Sequence, residues 1–473
     1  MYTSLKNIPR TVVLACSLAV LLPSASCDLV DIDQVTDPTN PSLDDVTANA
    51  SLAQLNALAV GVEASLRLGH VNNGANNNLI GELGREIVIL ANNENRWYTE
   101  ILGTRTNLDN NAFYSAAAYN GFARVVRASK VFLGSAQATA VINAEQKQAI
   151  AGFSHTYEAL GKLHMLNLMG ENGIRIDVDN YLKPGKFTEG SAPALTHIRQ
   201  LLDQAATELA AGGTAFPFQL SSGFNGFNTP ATFLKFNRAL AARVALYQND
   251  NAGALAALAQ SFYDPAGSLT IGPKIVFAPS VANDAGNPYF QVANGTQNQL
   301  AVVPSNFVTE AEPGDLRLAK APLRTGTART LGGITSTYEA RAFPTQTTPL
   351  DIIRNEELIL IAAEAKAKTN NLTGALSDIN VIRTKAGGLP ALTATSLADQ
   401  GAYINEILKQ RRYSLFYEGH FWVDLRRLNK LNPTPAPGIT LAFASGSAPT
   451  GTFRLFDRLP RPFAEVQWDV ANP

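Results

Sequence analysis

The sequence predicts a mainly α protein, with a tetratricopeptide-type helical scaffold that carries a loop-rich, partly irregular region. Three observations support this fold class. Apolar residues recur at helical spacing along most of the chain. Alanine-rich segments pair across short polar turns. Glycine and proline are concentrated in a few segments and do not punctuate the chain every ten residues, which argues against an all-β fold.

The helical spacing begins directly after an acidic, proline-containing start. Between residues 51 and 68, leucine and valine recur at three- and four-residue steps, as on one apolar face of a helix. Similar spacing predicts helices over 79–90, 116–132, 150–169, 194–209, 230–247 and 252–262. Helices resume at Asp351 and continue to about Leu431, and a loop-rich tail closes the chain.

Two of these helical pairs share one spacing of small residues. Ala242 and Ala254 flank a turn at 248–250, and Ala363 and Ala375 flank a turn at 369–371. Small side chains allow antiparallel helices to approach closely, which predicts tetratricopeptide hairpins. An ordinary helical hairpin needs the same contacts and is the alternative.

Between these pairs lies a long segment of different composition. Residues 263–348 are rich in Gly, Pro, Asn and Thr, with β-like pieces such as 268–277. The segment is too long for a simple connection. We therefore expect either a functional loop region or a small insertion on the helical scaffold.

The N-terminus has the features of an export signal. Lys6 and Arg10 precede an apolar run, 11–22, that is too short to span a bilayer. Small residues then lead to Cys27, as in a bacterial lipobox, although an ordinary signal peptide with an incidental cysteine is the alternative. We predict a signal peptide over 1–26, a lipidated Cys27 with a tether over 27–45, and one domain over 46–473. Loss of Cys16 with the signal would leave no pair of thiols for a disulfide.

Composition and motifs argue against several functional classes. The net charge is −1 and charged residues make up 16%, so no basic field exists to attract nucleic acid. The five histidines are scattered without metal-ligand spacing, and neither a nucleophile elbow nor a phosphate-binding glycine loop occurs. Glu310 and Glu312 could serve a glycosidase, but they lie in a Pro-Gly turn. We expect no enzyme, no metal and no cofactor.

The C-terminal part carries three ordered motifs. Residues 354–365 are RNEELILIAAEA, residues 375–387 are ALSDINVIRTKAG, and residues 411–427 are RRYSLFYEGHFWVDLRR. Their order and spacing resemble the signature of the SusD/RagB family. Gln410 and Ser414 stand where the family usually has glutamates, and Phe421 where it often has arginine. These departures bear on particular ion pairs and not on the fold.

The motif residues are typical of structural positions. Asp424 and Arg427 are three residues apart and can pair along one helical turn. Gly419 permits the left-handed conformation that ends a helix. Neighbouring helices are expected to be tied together by four further charged residues: Glu357, Glu364, Arg383 and Arg411.

The resemblance implies a specific function. SusD-like proteins are helical, are lipid-anchored outside the outer membrane, and act with a SusC-like TonB-dependent transporter. They capture oligosaccharides, or in some relatives peptides, and deliver them to the transporter. We expect a surface-exposed nutrient-binding lipoprotein. The alternatives are a tetratricopeptide scaffold for protein partners, and a carbohydrate-active enzyme whose carboxylates the sequence does not reveal.

Sugar capture requires flat aromatic faces together with polar side chains for hydroxyl groups. The resemblance implies a ligand surface made of loops on the non-repeat side, for which we nominate 92–106, 283–306 and the 221–228 loop. The candidate residues are Arg96, Trp97, Tyr98, Asn287, Tyr289, Phe290, Phe224 and Phe227. Trp97 is the best single candidate because asparagines and Arg96 surround it, and core packing is the alternative for each aromatic.

Overall fold

The computed structural model describes residues 47–72, 76–180, 182–281, 284–441 and 453–472, which belong to one compact unit beginning at Thr47. The predicted signal peptide, Cys27 and the tether lie outside the described residues. Among the residues described, no helix is both long and apolar enough to cross a membrane.

Helices dominate the described chain, as predicted. They are α1 Leu52–Val71, α2 Asn76–Leu83, α3 Phe113–Ala138, α4 Ala144–Met169, α5 Ser191–Ala210, α6 Pro230–Tyr247, α7 Asn251–Ala259, α8 Ser305–Thr309, α9 Asn355–Lys368, α10 Leu372–Lys385, α11 Gln400–Ser414, α12 Phe421–Arg427 and α13 Phe463–Ala471. The strands are β1 Val88–Ala91, β2 Ile174–Arg175, β3 Phe187–Thr188, β4 Lys274–Ile275, β5 Gln299–Val303, β6 Thr330–Leu331, β7 Ile334–Thr335, β8 Tyr338–Glu339 and β9 Leu350–Asp351.

Long helices pack mainly against their neighbours in the chain. Helix α3 packs against α1 and α4, α5 lies between α4 and α6, and α7 follows α6. The second group, α9, α10 and α11, packs together and joins the first where α9 contacts α6 and α7. This succession of antiparallel pairs confirms the predicted tetratricopeptide-type scaffold.

The two predicted repeat hairpins have the same turn. Asn249 and Asn370 both adopt a left-handed backbone, with φ of 59° and 63°. The next residues, Asp250 and Asn371, cap helices α7 and α10 by accepting hydrogen bonds from backbone amides three positions on. The paired alanines on each side of both turns are fully buried. The small-residue spacing thus marks true helix–helix contacts.

Helices α1 and α3 cross where two glycines meet. A Cβ atom placed on Gly121 would lie 2.8 Å from the Cα of Gly69, and one placed on Gly69 would lie 2.7 Å from the Phe122 ring. Neither position has room for a side chain. The backbones therefore approach closely at this crossing, which fixes the position of α1.

The motif residues form buried ion pairs between helices, as predicted. Glu357 on α9 accepts hydrogen bonds from Arg243 on α6, with the closer contact at 2.6 Å. Arg427 on α12 contacts both Glu364 on α9, at 2.5 Å, and Asp424, at 2.8 Å. Ion pairs of this kind require both partners in place, because either charge alone would be buried without compensation.

Two of the three departures from the family motif, Gln410 and Ser414, contact one arginine. The Nη1 atom of Arg317 donates to Oε1 of Gln410 at 2.8 Å and to Oγ of Ser414 at 3.1 Å. Asp315 pairs with the same guanidinium at 2.7 Å. Asp315 is thus the carboxylate that neutralises Arg317 here, while Gln410 and Ser414 accept hydrogen bonds from it.

One predicted helix is only partly helical. The periodicity of 79–90 predicts a single helix, but α2 ends at Leu83 and β1 begins at Val88. Between them Arg85 adopts φ of 61° and donates to three backbone oxygens, those of Glu82, Leu102 and Arg454. The prediction was wrong here because tertiary hydrogen bonds hold a chain reversal that apolar spacing does not encode.

Candidate functional site

The central sheet brings two of the nominated loop segments together. Strand β1 pairs antiparallel with β5, so that Ala91 lies opposite Gln299. The backbone amide of Asn92 continues the ladder by donating to the oxygen of Asn298 at 3.2 Å. The loop that leaves β1 and the loop that enters β5 therefore start side by side, at one edge of the sheet. We call residues 92–106, 292–298 and 324–337 the loop face.

A tight hairpin completes the loop face. Gly332 and Gly333 connect β6 to β7, and both have positive φ, 58° and 82°, as a two-residue primed turn requires. The Tyr98 hydroxyl donates to the oxygen of Gly332 at 3.3 Å. A Cβ atom on Gly332 would lie 2.2 Å from the Tyr98 ring, so the glycine lets this ring lie directly on the turn.

Arg96 lies on the exposed side of the loop face. Its guanidinium binds both oxygens of Glu94, at 2.8 and 2.6 Å, and lies 5.0 Å from the centroid of the Phe113 ring. Hydrogen bonding to Arg96 lowers the pKa of Glu94. The Arg96 side chain is 40% exposed. The short-range pair orients a charged fork whose remaining donors face solvent.

Trp97 is buried, unlike the residues on either side of it. It begins a π-helical turn, Trp97–Ile101, is 1% exposed, and packs on Phe113 with ring centroids 5.5 Å apart. Tyr98 and Arg96 remain partly exposed. The indole is therefore part of the core in this structure, and it presents no open face on which a sugar could stack.

Two of the three nominated residues of the 283–306 segment are buried and hold this segment in place. Asn283 lies outside the described residues. Asn287 donates to the oxygen of Thr348 at 2.7 Å, and Tyr289, 2% exposed, donates to the oxygen of His70 at 2.5 Å. Phe290 is half-buried. Asn287 and Tyr289 thus fix the course of the chain towards the loop face.

The phenylalanines of the third nominated loop belong to the helical core. Phe224 is 1% exposed and stacks near Phe233, with ring centroids 5.8 Å apart. Phe227 is 6% exposed and meets the Phe262 ring at 4.9 Å. These ring contacts are with Phe233 and Phe262, and not with Tyr98 of the loop face. The structure does not bring this loop to the loop face.

A cavity that the sequence analysis did not anticipate lies beside the C-terminal helix. It has a volume of about 430 Å³ and is lined by residues of α3, α4, the 175–184 segment and α13, among them Tyr119 and Trp468. We call it the α13 cleft. The sequence analysis predicted a loop-rich tail here and was wrong for Phe463–Ala471. A signal existed, because Phe463, Val466 and Val470 recur at three- and four-residue steps after Pro462. Only the tertiary structure shows what that helix packs against.

Metal chemistry has no support in the described part of the chain. No group of three or more His, Asp and Glu side chains there has an arrangement that could hold a metal ion. Three histidines are half-buried. Desolvation lowers the pKa of His70 and His420 to about 4 and that of His164 well below its usual value.

The described residues form a helical-repeat protein with a loop face at one edge of its sheet. Residues 334–452 match the model of the SusD family, and this range includes all three C-terminal motifs. The part of the chain that holds the motifs is therefore similar to this family, as the motifs predicted. A comparison with curated proteins gave no match.

Solved structures share the fold over most of the chain. A SusD superfamily protein from Bacteroides vulgatus has a TM-score of 0.65 at 18% identity, covering 89% of this chain and 97% of the other. A SusD-like protein from Bacteroides fragilis has a TM-score of 0.64 at 15% identity, with 90% and 98% covered. A SusD-like carbohydrate binding protein from Bacteroides vulgatus has a TM-score of 0.60 at 16% identity, with 80% and 84% covered.

Proposed function

We propose that this chain is a lipid-anchored, surface-exposed nutrient-binding protein that captures oligosaccharides and delivers them to a SusC-like TonB-dependent outer-membrane transporter. The family and the fold support this role, and one structurally similar protein is described as carbohydrate binding. The observation that carries the proposal is the loop face itself. Two separate loops meet there, with Tyr98 and Arg96 partly exposed beside amide-bearing side chains.

The proposed ligand contacts follow from exposure. A half-buried tyrosine ring offers an apolar edge or face, and an arginine fork offers several donors for hydroxyl groups. Asn92 and Asn93 are both exposed, and Asn92 lies at the same edge of the sheet. Trp97, Asn287 and Tyr289 support the surface from below in this proposal.

The binding test uses the full chain purified in detergent, with oligosaccharides and peptides titrated by calorimetry. We expect saturable oligosaccharide binding that weakens about tenfold or more, roughly 1.4 kcal/mol, in the double variant Arg96→Ala/Tyr98→Ala. Val141→Ala, an exposed position far along the chain, is the matched control. A peptide signal would keep the transport role with another nutrient. No binding to either class would favour the scaffold alternative, and glycan hydrolysis would contradict a binding-only role.

The anchor and the transporter are tested separately in cells. Metabolic labelling with a fatty acid is expected to mark the wild-type chain and to be lost in Cys27→Ser, together with retention in the outer-membrane fraction. Affinity purification of the wild type should recover a large outer-membrane transporter. Recovery of soluble periplasmic proteins alone would contradict the proposed partnership.

A further inference from the structure

The C-terminal helix is held to the scaffold by ion pairs. No residue of α13 is fully buried. Arg175 binds two carboxylates of this helix, Glu465 at 2.5 Å and Asp469 at 2.8 Å. The α13 cleft lies between this helix and the scaffold, and its volume of about 430 Å³ falls in the range of small-molecule sites, about 300–1,000 Å³.

Trp468 gives the cleft an aromatic wall. Of the three tryptophans in the chain, Trp97 and Trp422 are 1% and 0% exposed. Trp422 also donates its indole hydrogen to the oxygen of Phe456 at 2.7 Å. Trp468 is partly exposed and lines the cleft together with Pro184. An accessible indole on a cavity wall is the kind of flat apolar surface on which a sugar ring stacks.

The charges of the cleft favour a neutral ligand. Four cations line it, Arg127, Lys130, Lys162 and Arg175, and each has an interaction within the protein. Lys130 and Lys162 both contact Glu158, at 3.2 and 2.7 Å. Lys130 also contacts Asp179 at 2.6 Å. Arg175 pairs with the two carboxylates of α13 described above, Glu465 and Asp469. An anionic ligand would have to displace these partners and leave carboxylates uncompensated, whereas hydroxyl groups can share the hydrogen-bonding capacity of groups already paired.

We propose that the α13 cleft binds a neutral oligosaccharide, with Trp468 stacked on a sugar ring. The site is built from elements other than those of the loop face. This inference rests on the proposed function of oligosaccharide capture and gives the chain a second region of contact with the same class of ligand.

Oxidation of tryptophan by N-bromosuccinimide tests the proposal without a mutation. Because Trp97 and Trp422 are buried, Trp468 should be the fast-reacting indole of the full chain in detergent. The probes are maltohexaose, xylohexaose and mannohexaose, with trigalacturonate as the anionic comparison. We expect a neutral probe to slow the fast phase about tenfold at saturation. An unchanged rate in the presence of a probe that calorimetry shows to be bound would overturn the second site.

Variants distinguish this proposal from the loop face. Trp468→Ala should weaken binding of the neutral probe about tenfold and Trp468→Phe by less, while Val470→Ala, 70% exposed on the same helix, should bind as the wild type does. Circular dichroism confirms that each variant is folded.

The two proposals fail in different ways. Complete loss of binding in Arg96→Ala/Tyr98→Ala, with wild-type affinity in both Trp468 variants, would overturn the second site and leave oligosaccharide capture intact. Tighter binding of trigalacturonate than of any neutral probe at this site would overturn the neutral class. If no probe binds the wild-type chain, both proposals fail.

Discussion

Arginine side chains have different surroundings on the helical scaffold and on the loop face. On the scaffold, the Arg427 side chain is 8% exposed and binds carboxylates of two helices, Glu364 and Asp424. On the loop face, the Arg96 side chain is 40% exposed and binds Glu94, two residues away. The two arginines differ in burial: Arg427 keeps little surface that a ligand could reach, whereas a large part of Arg96 stays open to solvent.

This comparison explains why family motifs say little about the ligand. The three motifs supply ion pairs that join α9, α10, α11 and α12, so they specify how these helices pack. The loop face contains few such pairs among its described residues, and its hydrogen bonds are largely local or to backbone atoms. Under the proposed function, a different ligand would call for changes in the loop face and not in the motifs.

Removing a carboxylate from the scaffold should have the largest effect on stability. Asp424 is 0% exposed and accepts hydrogen bonds from Arg411 at 2.6 Å and from Arg427 at 2.9 Å. Asp424→Ala leaves two buried guanidinium groups without this partner. We expect the free energy of unfolding, measured by urea denaturation, to fall by about 3–5 kcal/mol.

An exposed ion pair provides the control for that loss. Arg458→Ala removes a pair with Asp457 in which both side chains are well exposed, and it should change the free energy of unfolding by less than about 0.5 kcal/mol. Equal effects of Asp424→Ala and Arg458→Ala would contradict the distinction between buried and exposed pairs.

A buried carboxyl group should make the scaffold sensitive to pH. Glu86 is 0% exposed, and burial raises its pKa from 4.5 to about 8. The folded state therefore keeps a proton on Glu86 between about pH 4.5 and pH 8, where the unfolded state has lost it. The contribution to the free energy of unfolding falls as pH rises through this window, by about 1.4 kcal/mol per unit, and levels off above pH 8.

Glu86→Gln tests this dependence directly. Because glutamine cannot ionise, the variant should gain stability over the wild type as pH rises from 5 to 8, by a few kcal/mol in urea denaturation, roughly 4 at most. The carboxyl oxygen Oε1 accepts only a long backbone hydrogen bond, 3.4 Å from Tyr417. A constant difference between variant and wild type across pH 5–8 would show that Glu86 is ionised throughout.

Two glycines of one helix should respond in opposite directions. Gly121→Ala places a methyl group against α1, which forces the helices apart, and we expect a loss of about 1–3 kcal/mol. Gly134, also in α3, has open space around its Cβ position. Gly134→Ala should leave stability unchanged or raise it by about 0.5–1 kcal/mol, because alanine favours the helix. Thermal unfolding of both variants measures the contrast, and a loss in both would contradict close packing as its cause.

The loop face should show the smallest effect on stability. Tyr98→Ala removes a half-buried ring and a single hydrogen bond, at 3.3 Å. We expect the free energy of unfolding to change by less than about 1 kcal/mol, while ligand affinity falls. Loss of folding in this variant would instead place Tyr98 among the structural residues.

The sequence predicted the helices and their pairing better than it predicted which side chains are buried. The Asn249 and Asn370 turns follow from local residue chemistry, so their positions were accessible from spacing. The burial of Trp97 was not predictable in the same way, because its polar neighbours indicate a surface loop. The π-helical turn directs its indole inward onto Phe113, and nothing in the spacing of the two residues indicates that they are in contact.

Local chemistry by itself determined the helical scaffold, its repeat turns and the family motifs, because helix spacing, caps and small-residue contacts depend on residues close in the chain. Tertiary structure alone decided which aromatic rings are accessible. Trp97 and Trp468 are the same residue type, yet one is enclosed by α3 and the other lines a cleft beside α13. The exposure of a side chain depends on segments that meet only when the chain folds, which is why the binding surfaces required the structure.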